Sequence, residues 1–142
     1  MVIDTRALQP VKVSYVKFKL ILTHSSDNLL AIGGCEVCDG SDFHSESELF
    51  DFETEQWTPT EAEFDWNILF AAPVVWSDGF YVFGGQTGLG QRDASDGIYR
   101  LGNRTWVEVG KLETARFGHG VVATEEGFHV FGGDRKRSKT SI

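Results

Sequence analysis

Three pairs of consecutive glycines recur at nearly even spacing, and each pair closes a short apolar run. They are Gly33-Gly34, Gly84-Gly85 and Gly132-Gly133. The steps between the first glycines are 84 − 33 = 51 and 132 − 84 = 48 residues. An internal repeat with a period of about 50 residues predicts a chain built from copies of one supersecondary unit.

Further parts of the unit repeat with the same period. Trp57 and Trp106 are 106 − 57 = 49 residues apart, and each follows an apolar run and a polar turn. We predict that the preceding strands end at Phe52 and Leu101 and that the Trp lies on the next strand. Another apolar run precedes each glycine pair. We therefore predict that one unit consists of four short strands and that its Trp packs the sheet against the neighbouring sheet.

This pattern resembles the kelch repeat over about residues 18 to 133. The resemblance depends on the glycine pairs, on the aromatic positions Phe50 and Tyr99 that follow them, and on the two Trp residues. Arg116 and His119 match the Arg and His of the family, where the preceding unit has Leu69 and Ala72. The resemblance implies an all-β fold of kelch-type β-propeller blades, each a four-stranded antiparallel sheet. It also implies that Arg116 and His119 bind neighbouring backbone at the start of an inner strand. The residues that carry the resemblance are Gly33, Gly34, Trp57, Gly84, Gly85, Tyr99, Trp106, Arg116, His119, Gly132 and Gly133.

The length predicts an incomplete ring of about two to three blades. A propeller requires roughly four to eight blades of about 50 residues, whereas this chain has 142 residues. We predict blades over about 18–60 and 71–110 and a partial blade over 119–133. An N-terminal segment, 1–17, contains a candidate outer strand at Val11–Lys17, and a basic tail covers 134–142. Three explanations of the incomplete ring stay open. The chain is a fragment of a larger propeller, or several copies complete a ring as a homo-oligomer, or the chain is an open array that folds poorly or is stabilised by a partner.

The charge distribution argues against nucleic acid and membrane partners. The net charge is −8, and residues 23–133 hold 5 basic and 19 acidic residues, which gives 5 − 19 = −14. Such a field repels polyanions and anionic lipid surfaces. It suits a basic protein partner, although solvated acidic loops that keep a β protein soluble explain it better. No signal peptide or apolar membrane span is recognisable, so we expect a cytoplasmic protein.

Neither catalytic nor metal-binding residues form a recognisable pattern, so we predict no enzyme activity, no cofactor and no metal. Cys35 and Cys38 with His44 offer three zinc ligands but no suitable fourth. Glu61 and Asp65 resemble part of the iron-binding pattern of kelch-type specifier proteins. That pattern continues to a Cys where this chain has Leu69. A metal-assisted kelch-type enzyme or specifier subunit is the alternative function, and a self-assembling structural propeller is another.

The main prediction is a protein–protein interaction module, which in an adaptor would recognise the substrate. Kelch proteins with that role carry a BTB or F-box domain, for which residues 1–17 are too short. The strands keep their pattern, whereas two classes of loop vary, as expected where a scaffold presents recognition residues. Phe64 and Trp66 either anchor a partner or pack between blades. The candidate binding residues are Glu36, Asp39, Asp42, Phe43, His44, Phe64, Asp65, Trp66, Gln91, Arg92 and Asp93.

Overall fold

The chain is all-β in the computed structural model, which describes residues 21–34, 44–60, 69–77, 79–87, 94–102 and 105–135. These residues form ten strands and no helix, which confirms the predicted all-β class for this part of the chain. No helix that could cross a membrane occurs among them. The strands are β1 (Ile21–His24), β2 (Asn28–Ile32), β3 (Ser47–Asp51), β4 (Gln56–Pro59), β5 (Ala72–Trp76), β6 (Gly79–Phe83), β7 (Gly97–Leu101), β8 (Trp106–Lys111), β9 (Arg116–Thr124) and β10 (Gly127–Arg135).

The strands form three antiparallel sheets in which neighbours along the chain are neighbours in space. The first sheet has the order β1-β2-β3-β4, the second β5-β6-β7-β8, and the third contains β9 and β10. The strand β5 contacts both β1 and β9, so the first strands of the three sheets lie side by side. The predicted outer strand at Val11–Lys17 lies outside the described residues.

The first and second sheets pack face to face around an apolar cluster. Leu30 and Ile32 of β2 meet Val82 of β6, Tyr99 of β7 and Ala71 in this cluster. The cluster residues on β2 are two apart, because alternate side chains of a strand point to the same face. The core therefore belongs to the interface between sheets rather than to any single sheet.

The two tryptophans of the repeat have different neighbours. Trp106 packs against the cluster between the sheets. The Trp57 ring lies 5.2 Å from the ring of Phe50, its cross-strand partner in the first sheet.

Tyr99 donates a hydrogen bond of 3.3 Å to Glu108 Oε2. Burial, together with the Glu108 charge, raises the pKa of Tyr99 to about 12.

The second and third sheets meet through aromatic side chains. The ring of Phe128 in β10 lies 4.9 Å from Phe83 and 5.2 Å from both Tyr81 and Trp76, measured between ring centroids. Tyr81 and Phe83 thus face the third sheet, whereas Val82 between them faces the first. This alternation gives each full sheet one face toward the preceding sheet and one toward the next.

The hairpin between β3 and β4 turns one residue earlier than predicted. The strand β3 ends at Asp51 rather than Phe52, and a turn occupies 52–55. The Asp51 Oδ1 atom accepts hydrogen bonds from the backbone N–H of Glu53 at 2.7 Å and of Thr54 at 2.9 Å. An Asp that binds the backbone two and three residues further on favours a turn over a strand. Phe52 is consequently exposed.

Candidate functional site

The glycine pairs allow strands from adjacent sheets to approach closely at one end of the molecule. Gly84 and Gly85 follow β6 with φ angles of 57° and 107°, a region that side chains disfavour. A Cβ atom at Gly84 would lie 2.5 Å from the Arg116 carbonyl oxygen and 2.9 Å from His119 Cε1. The other two glycine pairs also have positive φ angles. The repeated glycines therefore mark the end of the molecule at which connecting segments meet.

Backbone hydrogen bonds join these connecting segments. The Gly85 N–H donates to the Arg116 carbonyl at 2.9 Å, and the Ser95 N–H donates to the Gly85 carbonyl at 2.8 Å. Leu69 and Gln86 exchange hydrogen bonds of 3.2 and 2.7 Å. The segments that follow β6, precede β7, precede β5 and lead into β9 therefore converge. We call this the loop-bearing end.

A pocket of about 380 Å³ opens at the loop-bearing end. Its two aromatic side chains, Phe70 and Phe117, lie with ring centroids 6.4 Å apart and planes tilted by 43°. Gly118 and Gly133 contribute backbone without side chains, and Asp134 completes the lining. An open pocket beside two aromatic rings can accommodate a side chain or another small apolar group.

Phe70 adopts an unusual backbone conformation beside this pocket. Its φ angle is 52°, and its side chain is 41% exposed. A bulky residue in this region costs about 1–3 kcal/mol and persists only where the surroundings fix it. The two hydrogen bonds between Leu69 and Gln86 fix the backbone just before Phe70. The Gly118 N–H donates to the Phe70 carbonyl at 2.8 Å and fixes the backbone just after it. The ring is thus held partly exposed at a cost in stability.

Arg116 connects the two strands of the third sheet. Its guanidinium NH1 donates to the Gly132 carbonyl at 3.0 Å, and its Nε donates to the Thr114 carbonyl at 3.3 Å. Both acceptors are backbone atoms, as the resemblance implies for this position. Arg116 therefore stabilises the start of β9.

His119 is buried beneath the glycine pair of the second sheet. Its exposed fraction is 9%, and neither ring nitrogen has a hydrogen bond of good geometry among the described residues. Burial and then the positive charge of Arg116 lower the pKa of His119, and the Phe83 backbone carbonyl opposes this shift. The lowered pKa favours the neutral ring. The expectation that His119 binds neighbouring backbone is therefore wrong for its side chain, which acts as a packing group beside Gly84.

His44 is the one predicted binding residue that the structure describes. It is half-buried, its Nδ1 lies 3.3 Å from Glu46 Oε2, and its backbone N–H donates to the Gly34 carbonyl at 2.9 Å. Cys35 and Cys38, which with His44 would offer three zinc ligands, lie outside the described residues. So do the remaining predicted binding residues: Glu36, Asp39, Asp42, Phe43, Phe64, Asp65, Trp66, Gln91, Arg92 and Asp93. Across the described ranges no three His, Cys, Asp or Glu side chains cluster as metal ligands.

Sequence reasoning did not single out the residues of the pocket. Phe70 and Phe117 entered the prediction only as the last residues of two variable loops, 60–70 and 111–117. They are 117 − 70 = 47 residues apart, close to the repeat period. Phe70 precedes β5, and Phe117 is the second residue of β9. An aromatic residue at the same position of two units was a signal in the sequence. Their approach across adjacent sheets becomes visible only once β5 and β9 are placed side by side.

Comparison with known proteins supports the fold and leaves the function open. No family model matches the sequence, and no curated protein matches it. The fold is similar to the solved structure of YjhT, with a TM-score of 0.73 and 15% sequence identity. The match covers 89% of this chain and 41% of YjhT, so the chain spans less than half the length of that protein. At this identity the likeness concerns the fold alone.

Proposed function

We propose that the chain is part of a kelch-type β-propeller that serves as a protein–protein interaction module. On this proposal the first two sheets are complete blades, and β9 and β10 are the inner half of a third. The side-by-side β1, β5 and β9 support this arrangement, as does the fold similarity to a protein more than twice as long. A cytoplasmic location and a role in substrate recognition by an adaptor belong to the same proposal.

The observation that carries the proposed function is the aromatic pair at the loop-bearing end. Phe70 and Phe117 lie within 6.4 Å of each other beside an open pocket, and Phe70 is held there in a strained conformation. Strain retained at an exposed aromatic residue points to function rather than to stability. Exposed aromatic anchors beside a pocket are typical of protein recognition. The excess of acidic residues favours a partner segment with net positive charge.

A displayed library of random peptides, selected on the immobilised full chain, tests this proposal. We expect enrichment of sequences with net positive charge. The test variant is Phe70→Asn, since Asn tolerates a positive φ angle, so the variant should fold at least as stably as the parent. The control is Val107→Asn, which alters an exposed apolar residue on β8, away from the pocket.

The selected peptides should lose most of their affinity for Phe70→Asn and keep it for Val107→Asn. Peptides that bind both variants equally, or a selection without enrichment, would contradict a binding role for the pocket. Unfolding curves of both variants separate a lost contact from a lost fold.

A further inference from the structure

His119 lies between two glycine pairs, one from the second sheet and one from the third. It stands opposite Gly132 in the ladder between β9 and β10. A Cβ atom at Gly84 would lie 2.9 Å from His119 Cε1, and one at Gly133 would lie 2.8 Å from His119 Cβ. Backbone therefore packs directly against this side chain from both sides, and solvent reaches neither ring nitrogen.

The charges near His119 suit a neutral ring. Burial lowers the pKa of His119, and the cation of Arg116 on the same strand lowers it further. On β10 the neighbouring residues 131–133 are uncharged, and Asp134 beyond them is exposed. Within the described part of the chain, no carboxylate raises the pKa of this ring.

The second sheet brings no anion to the ring either. Its strand β6 contributes Tyr81 as the single titratable group within 79–83. In the segment before β9, Lys111 Nζ lies 3.4 Å from Asp96 Oδ1, and Glu113 is exposed. A proton on His119 would thus create a buried cation close to a second cation, with no described anion to balance it.

Water can hydrate such a cation only if β9 moves away from the glycine pair of the second sheet. Two backbone hydrogen bonds hold β9 in place just before His119. The Gly85 N–H donates to the Arg116 carbonyl at 2.9 Å, and the Gly118 N–H donates to the Phe70 carbonyl at 2.8 Å. Hydration of a charged ring therefore competes with both hydrogen bonds.

Strain at Phe70 favours the same movement. The Gly118 N–H helps to hold Phe70 at a φ angle of 52°, which a bulky residue adopts only under constraint. Once that hydrogen bond breaks, Phe70 is free to return to a negative φ angle, and its ring then leaves Phe117. The pocket is therefore one of two states, and the charge on His119 selects between them.

We propose that uptake of a proton by His119 opens the pocket at the loop-bearing end, so that acid reduces the fraction of chains in which the pocket is formed. The proton binds a ring nitrogen, and the hydrogen bonds donated by Gly85 and Gly118 break. As regulation of binding this inference rests on the proposed function, whereas the opening itself needs no ligand. Because the closed state has the lowered pKa, opening sets in as the pH falls below about 6.5.

Amide hydrogen exchange of the full chain, followed by NMR, tests the proposal. The protection factor, by which structure slows exchange, should fall about five- to thirtyfold for Gly118 between pH 7.5 and 5. The upper limit holds because 1.5 pH units below the ordinary pKa of 6.5 supply a factor of about 30. Leu30, fully buried in the first sheet, reports unfolding of the whole chain and should stay better protected than Gly118. Equal protection of the two amides, or a Gly118 value that ignores pH, would overturn the proposal.

A matched pair of variants assigns the effect to one histidine. His119→Gln keeps a polar side chain that cannot take up the proton, and His129→Gln makes the same change at an exposed position on β10. The Gly118 protection factor should vary less than about twofold over this pH range in His119→Gln and should fall as in the parent in His129→Gln. Variants that respond to pH alike would contradict a role for His119.

Titration of the His119 ring in the parent chain, read from its Cε1–H resonance, decides the matter even if His119→Gln fails to fold. Loss of Gly118 protection should begin near pH 6.5 and level off at the pH at which the ring of the folded chain titrates. A folded ring that titrates at or above pH 6.5 would exclude the mechanism.

A bound peptide separates this proposal from the proposed function. A peptide that was selected on the chain and fills the pocket should raise the protection of Gly118 in proportion to its concentration above the dissociation constant. A bound peptide that leaves this protection unchanged would refute the link between His119 and binding. A selection without enrichment would count against the binding function alone, since the exchange measurement on the free chain still decides whether the pocket opens.

Discussion

The strands β6 and β10 are nearly identical in sequence and differ in their surroundings. Gly79–Gly85 and Gly127–Gly133 match at every position except Tyr81, which is replaced by His129. Phe83 at the end of β6 is 1% exposed, whereas its counterpart Phe131 is 56% exposed. The difference arises because the third sheet covers Phe83 through Phe128, and no described sheet covers Phe131. Whether a side chain is buried in this fold therefore depends on the sheet that packs against its strand, and not on the sequence of the strand itself.

The same contrast extends to the glycine pairs. Gly84 and Gly85 are buried under the segment that leads into β9, whereas Gly132 and Gly133 are exposed. The φ angles stay positive in both pairs. The conformation is thus set locally by the glycines, and its contribution to stability depends on what packs against it. Substitutions at equivalent positions separate these two effects.

The largest expected difference is between Phe83→Ala and Phe131→Ala. Removal of a buried Phe ring costs about 3–5 kcal/mol of unfolding free energy, because it leaves a cavity. Removal of a ring that is mostly exposed should cost less than about 1 kcal/mol. Urea unfolding measures both free energies. Similar losses would mean that Phe131 is covered within a single chain.

A smaller difference is expected between Gly84→Ala and Gly132→Ala. Both introduce a side chain at a positive φ angle, which costs about 1–2 kcal/mol. At Gly84 the added Cβ also meets the Arg116 carbonyl at 2.5 Å, whereas at Gly132 it meets nothing within 4 Å. We therefore expect Gly84→Ala to lose about 2–4 kcal/mol and Gly132→Ala to lose about half of that. Equal urea unfolding midpoints for Gly84→Ala and Gly132→Ala would show that β9 moves away from the added methyl group without loss of stability.

The smallest expected effect is a pH dependence that originates at His119. Because the pKa of His119 is lowered in the folded chain, the unfolded chain binds more protons just below pH 6.5. The contribution of a neutral His119 is then complete above pH 6.5 and is lost as the pH falls through the lowered folded pKa. His119→Gln should flatten the unfolding free energy between about pH 7 and 5, above the range in which carboxylates titrate. An unchanged slope would exclude His119 as the source.

The sequence predicted the strands well because the repeat fixes them locally. The glycine pairs end β2 and β6 as expected, because a positive φ angle interrupts a regular strand. The end of β3 was misplaced by one residue because the side chain of Asp51 binds the turn that follows. That competition was readable in the sequence, since an Asp before a polar run is a common turn signal.

The pocket and the exposure of Phe131 could not be predicted from the repeat. A repeat pattern assigns equal burial to equivalent residues, so Phe83 and Phe131 look alike, as do Tyr81 and His129. Tyr81 is half-buried, whereas His129 at the equivalent position is exposed and lies 3.2 Å from Thr124 Oγ1. The pocket likewise needs Phe70 and Phe117 to meet across two sheets, which depends on tertiary placement.

The strand order has a consequence for how the chain folds. Every ladder joins strands that are consecutive in the sequence, so each sheet closes only short loops of chain. The entropic cost of such closures grows slowly with loop length. Each sheet can therefore be nearly complete before it meets its neighbour, and the docking of one sheet on the next becomes the slow, cooperative event. A growing chain that emerges from the ribosome would meet this situation in order, with each finished sheet serving as the surface on which its successor assembles.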